Sequence, residues 1–123
     1  LQLVPWPNKN MSKNDAVADI SHRIKQLALE LNIAVLLLSQ VNRDGAKREG
    51  GLAIYDLKDS GDIENDADII LLLWPEYGDV DASRFADGTK SYISMEYKIA
   101  KNREGERDLK GRLRFYSQQG IFT

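Results

Sequence analysis

Ile33-Ala34-Val35-Leu36-Leu37-Leu38 is an unbroken apolar run that ends in Ser39-Gln40. A strand that is apolar on both sides is one covered on both faces, as in the parallel sheet of an α/β protein. Just before it, Val17, Ile20, Ile24, Leu27 and Leu31 recur at three- and four-residue spacing, which predicts an amphipathic helix over 14–32. Ser12 with Asp15 three residues later resembles a capping box, with Asp in place of the usual Glu or Gln, and Asn32 is a suitable helix stop. Further back, Leu1-Gln2-Leu3-Val4 reads as the tail of a buried strand. Pro5-Trp6-Pro7-Asn8 closes it, because proline donates nothing to a ladder and restricts the residue before it. Strand, helix and strand with short joints form a βαβ unit with a right-handed crossover. The chain opens without Met, so the expectation is a portion of a longer protein.

Forward from Gln40, Ile69-Ile70-Leu71-Leu72-Leu73-Trp74 is a second apolar run of the doubly covered kind. Residues 42–68 between them lack long periodicity, and a loop of that length in a compact domain is usually functional or disordered. An acidic excursion follows from Glu76 to Asp87. Ile93, Met95, Tyr97 and Ile99 then alternate with Ser94, Glu96, Lys98 and Ala100, and Leu113 and Phe115 alternate with Arg112, Arg114 and Tyr116. Period two is strand periodicity, so these segments predict a long-looped hairpin, with Ile121-Phe122 as a last short strand. The expected class is α/β: a mainly parallel sheet with flanking helices and a C-terminal antiparallel hairpin.

Composition removes several chemistries. The 123 residues contain no cysteine, which excludes disulfides, thiolate zinc sites and cysteine nucleophiles. The single histidine, His22, excludes His-rich metal sites. No apolar stretch is long enough to span a bilayer and no signal peptide is present, so a soluble, cytoplasmic protein without membrane contact is expected. The net charge of −2 is segregated: residues 1–50 balance to +2, 51–89 to −8 and 90–123 to +4. A weak overall charge therefore leaves room for a basic, nucleic-acid-binding face.

Three polar clusters could carry chemistry. Open parallel sheets place ligands beyond the carboxyl ends of their strands, which singles out Ser39-Gln40-Val41-Asn42-Arg43. An amide there can hydrogen-bond a phosphate or orient a water, or it can merely cap the strand end. The second cluster is Asp56-Leu57-Lys58-Asp59-Ser60-Gly61-Asp62-Ile63-Glu64-Asn65-Asp66-Ala67-Asp68. Its lysine and the backbone N–H groups at Ser60-Gly61 suit a phosphodiester, while Ser60 also suits the cap of a short helix. The acids are out of register with a calcium loop, and no metal site is expected. The third is Lys101-Asn102-Arg103-Glu104-Gly105, where strand periodicity puts Lys101 and Arg103 on one side of a hairpin tip. Such a pair can protect an edge strand or neutralise a developing phosphate charge. Neither Gly-x-x-x-x-Gly-Lys-Ser/Thr nor Gly-x-Gly-x-x-Gly occurs, so nothing here cradles a triphosphate by itself.

In order and separation, these three clusters resemble the C-terminal half of the RecA-like motor of DnaB-type replicative helicases, and Leu1-Gln2-Leu3 resembles the residues after the Walker B aspartate. The resemblance covers nearly the whole chain, 1–123, as a partial domain without its Walker A half. It implies a homohexameric ring that hydrolyses ATP with Mg2+ at subunit interfaces while single-stranded DNA passes through the centre. It further implies that Gln40 senses the γ-phosphate, that Lys58, Asp59, Gly61 and Arg43 contact DNA, and that Lys101 and Arg103 act on the neighbour's ATP. Lys58-Asp59 stands where the family has Arg-Glu, which keeps both charges but loses the planar fork. By the same reading the isolated chain is inactive. The alternatives are another RecA-like ATPase, such as a recombinase or a phage primase-helicase, and a non-catalytic single-strand-binding or ring-assembly module.

Overall fold

The computed structural model of the chain describes residues 1–5, 10–46, 48, 50–57, 61–76 and 92–123. They form two compact units, residues 1–42 with 54–68 and residues 43–53 with 69–123.

In the first unit, helix α1 (Lys13–Leu31) begins where its sequence says it should. The Ser12 hydroxyl accepts from the Asp15 N–H at 3.2 Å and donates to the Asp15 carboxylate at 2.7 Å. It ends at Asn32 in the left-handed conformation, φ 50°, with the Asn32 N–H directed at the carbonyls of Ala28 and Leu29. Ala16, Val17 and Ser21 are buried, but Leu27 and Leu31 are 48% and 58% exposed, so only the N-terminal half of the expected stripe is covered. A one-turn 3-10 helix (Ile54–Asp56) and helix α3 (Gly61–Asp66) complete the unit, with Leu57 and Ile63 in its core.

Two expected strands are not found there. Residues 2–4 form a turn, with Val4 N–H donating to Leu1 O at 3.1 Å, and residues 33–40 make no ladder. Leu36 and Leu38 are 90% and 76% exposed. A strand persists only where a neighbour pairs its N–H and C=O groups. Beside residues 39 and 40, the described partner is Gln2, which bonds through its side-chain amide.

In the second unit a short helix α2 (Arg43–Ala46) precedes a four-stranded sheet, β1 (Ile69–Pro75), β2 (Ile93–Asn102), β3 (Lys110–Tyr116) and β4 (Ile121–Phe122), in that spatial order. Every pairing is antiparallel, so the mainly parallel sheet expected from the two apolar runs is absent among the described residues. The short returns from β2 to β3 and from β3 to β4 give antiparallel neighbours, whereas a parallel pair needs a long crossover. Double coverage of β1 is also corrected. Ile70, Leu72 and Trp74 are buried while Ile69 and Leu71 are 62% and 56% exposed, the alternation of a sheet covered on one face. Across the register that face continues as Trp74–Glu96–Arg112 and Leu72–Lys98–Lys110, but it becomes exposed at Arg112 and Lys110. The other carries Leu73–Tyr97–Gly111 and Pro75–Met95–Leu113. Among the described residues no helix is long and apolar enough to cross a membrane.

Candidate functional site

Gln40 lies on the exposed stretch that follows α1. Its backbone is pinned: the Gln40 N–H donates to Gln2 Oε1 at 3.0 Å, and Gln2 Nε2 donates to Ser39 Oγ at 2.9 Å. Immediately after it, Val41 forms an antiparallel bridge with Leu57, and the Asn42 N–H donates to Asp56 O at 2.7 Å. The Leu57 N–H donates to Ile54 O at 3.0 Å, so the 3-10 turn holds Leu57 for that bridge. Gln40 is thus one residue from a pairing whose other member is one residue from Lys58. Asp56 and Leu57 are both buried, which fixes this junction in the unit's interior.

Helix α3 starts at Gly61, which is exposed, and is gripped by α1. Lys25 Nζ meets Asp68 Oδ2 at 2.5 Å, and His22 Nδ1 lies 3.5 Å from Asp66 Oδ1. Gln26 Nε2 is 3.2 Å from His22 Nε2. The tautomer that satisfies both bonds accepts from Gln26 at Nε2 and donates from Nδ1 to Asp66. Two acids of the acidic string therefore brace the helix that follows Lys58, Asp59 and Ser60. Among the described residues no three His, Asp or Glu side chains converge as a metal site.

Lys101 is half-buried near the end of β2, opposite Ile70, and Arg103 is exposed one residue past the strand. At the root of this hairpin Lys98 Nζ bonds Asp108 Oδ1 at 2.6 Å. That hydrogen bond, then the charge of Lys98 and finally those of Lys110 and Arg107, hold the Asp108 carboxyl below its ordinary range. Deeper in the sheet the Trp74 indole N–H donates to Glu96 at 3.1 Å, and Arg112 reaches Glu76 at 3.2 Å and Glu96 at 3.7 Å.

The predicted residues thus separate. Gln40 and Gly61 belong to the first unit, with the Val41–Leu57 bridge lying between them in the chain, while Lys101 and Arg103 belong to the second. Arg43 opens α2, and Lys58, Asp59, the proposed Ser60 cap and most of the acidic excursion lie outside the described residues. Sequence reasoning missed the returning pair Asp56-Leu57 and the Lys98–Asp108 brace. The first left a faint signal, a lone Leu in a polar string; the second left only opposite charges ten residues apart.

A family model described as "DnaB-like helicase C terminal domain" matches residues 1–123. The chain belongs to this family. The replicative DNA helicase DnaB of Helicobacter pylori strain J99 is 33% identical over 98% of this chain and 24% of its own length. A probable plasmid replicative DNA helicase of Chlamydia psittaci is 38% identical over all of this chain and 25% of its own. This DnaB-like chain therefore spans about a quarter of the length of these curated relatives. Among solved structures it is similar to an ATPase domain, with TM-score 0.76 and 32% identity over all of this chain and 41% of that one. A DnaB-like replicative helicase described with its interactions with primase matches at TM-score 0.77 and 31% identity, over 99% of this chain and 28% of that one. The RecA-like class implied by the sequence holds for this DnaB-like domain, as part of one.

Proposed function

We propose that this chain is part of the ATP-driven motor of a replicative DNA helicase that works as a homohexameric ring on single-stranded DNA in the cytoplasm. Three elements of that motor fall on its residues. Gln40 is the amide that meets the terminal phosphate, Lys58, Asp59, Gly61 and Arg43 are each residues that contact DNA, and Lys101 and Arg103 are offered to the nucleotide of the adjacent subunit. The observation that carries this reading is the Val41–Leu57 bridge with its Asn42-to-Asp56 hydrogen bond. It ties the residues that follow Gln40 to those that precede Lys58, and in this reading movement of one reaches the other through that tie.

The residues fit only part of a nucleotide site. They supply an amide and two cations suited to a charged phosphate, but no phosphate cradle and no convergent Mg2+ ligands among the described residues. ATP when bound supplies the phosphoryl-transfer energy; this chain's residues sense and neutralise charge and transmit movement. Stabilising transition-state charge from a neighbouring subunit is the work of an arginine finger.

The test is Gln40→Ala in the full-length protein. Single-strand affinity should stay within about twofold, because Gln40 touches no DNA, while stimulation of ATP hydrolysis by single-stranded DNA is lost. Normal stimulation in the variant would overturn the assignment.

A further inference from the structure

The loop that bears Arg103 joins Asn102 at the end of β2 to Lys110 at the start of β3. Loops of this kind do not hold a side chain to a fixed position unaided, and a misplacement of about 1 Å at a catalytic group can cost on the order of 100-fold in rate. What fixes this one is visible at its root. The regular register ends with Lys98 opposite Lys110. Beyond it, Ile99 O accepts from the Asp108 N–H at 2.8 Å while the Ile99 N–H donates to Leu109 O at 2.8 Å. Asp108 and Leu109, the two residues that lead into β3, therefore oppose the single residue Ile99, the arrangement of a β-bulge.

Asp108 occupies the bulge with φ 63°, a left-handed conformation that side chains other than those of Asn and Asp seldom adopt. Lys98 and Lys110 face each other across the ladder, where like charges repel, and the Asp108 carboxylate beside them offsets that repulsion. That carboxylate takes Lys98 at 2.6 Å, and the Lys98 side chain is only 24% exposed. On the far side of the loop, Asn102 Nδ2 donates to Glu106 O at 3.3 Å. The tip is closed from both sides, with Arg103 one residue beyond the Asn102 clamp. The lowered pKa of Asp108 agrees with a carboxylate that stays charged for this purpose.

We propose that Asp108, through its ion pair with Lys98, is a positioning residue that aims the hairpin tip and with it Arg103 at the neighbouring subunit's nucleotide. This rests on the trans role given to Arg103 above. The bulge bends β3 at its start and sets the exit direction of the tip. The ion pair keeps that bend in one geometry. Backbone conformation and charge are separable here, because Asn tolerates the left-handed region without the charge and Gly adopts it without any side chain.

The test uses full-length protein carrying Asp108→Asn, Asp108→Gly, Lys98→Met, the double variant Lys98→Met with Asp108→Asn, and Arg103→Ala as reference. Each of the first three should lower kcat for ATP by about 10- to 100-fold, with KM for ATP and single-strand affinity within about twofold. The double variant should be no worse than either single, since both remove the same contact. Asp108→Gly should lose kcat without losing thermal stability, which separates positioning from folding. Additive losses, losses confined to KM or melting temperature, or unchanged kcat in the Asp108 variants while Arg103→Ala is inactive would overturn the positioning role alone. Unchanged kcat in Arg103→Ala would overturn the trans reading on which it rests.

Discussion

Replacing Gly51 by alanine puts the packing of the second unit to a quantitative test. Gly51 is buried with φ 81°, and a Cβ built on it would lie 2.2 Å from Trp74 Cζ2 and 2.4 Å from Cε2. Carbon atoms in contact prefer about 3.5–4.0 Å, so the ring must retreat by more than about 1 Å. Trp74 is 4% exposed and its indole N–H is bonded to Glu96, so it has no room to retreat without loss. The left-handed backbone costs an alanine about 1–2 kcal/mol, and overpacking adds about 1–3 kcal/mol, for a total of about 2–5 kcal/mol. Gly50 is the matched control, since φ is 104° there and nothing lies within 4 Å of a built Cβ. Gly50→Ala carries the backbone strain without the clash. Thermal unfolding in a Trp6→Phe background, read by Trp74 fluorescence, should show Gly51→Ala the less stable of the two by about 1–3 kcal/mol, with red-shifted emission. Equal stabilities and an unshifted spectrum would refute the placement of the ring over Gly51.

Further expectations follow from the helix cap and the charged loop. Ser12→Ala removes the acceptor for the Asp15 N–H and should cost α1 about 0.5–2 kcal/mol, read as faster amide exchange in its first turn. Lys58→Ala in the full-length protein should weaken single-strand binding at every sequence and flatten its salt dependence by about one phosphate's worth of slope; an unchanged slope removes Lys58 from the contact surface.

Local chemistry was legible in the sequence and distant pairing was not. Ser12, Asp15 and Asn32 announced both ends of α1 because a cap is settled within four residues. Helix 14–32 is observed one residue earlier at each end, as Lys13–Leu31. The alternation at 93–99 and 112–116 announced β2 and β3 for the same reason, since period two is a local property. The apolar runs at 33–38 and 69–74 misled, because an apolar run states that a segment can be buried but not by what. One makes no ladder here and the other joins an antiparallel sheet with one face open. Among the proposed site residues, Gln40 was chosen from the sequence as an amide just past an apolar run, and Lys101 and Arg103 as cations at the end of an alternating strand. Their supports were not legible. The bridge from Val41 to Leu57 joins residues across a loop with no periodicity, and the bulge at Asp108 was hidden because Asp, not the expected Gly, takes the left-handed position.

Gln40 is proposed to act in its own subunit and Arg103 on the next. Full-length Gln40→Ala and Arg103→Ala proteins, each assayed alone for DNA-stimulated ATP hydrolysis and then mixed in equal amounts under subunit exchange, test it directly. In a head-to-tail ring, roughly a quarter of the mixed interfaces combine an intact Gln40 with a neighbour's intact Arg103. Two nearly inactive proteins are expected, Arg103→Ala reduced by about 10³-fold or more, whose mixture regains activity. A mixture no more active than its components, with exchange verified, would show that both residues serve the same subunit and contradict that division of roles.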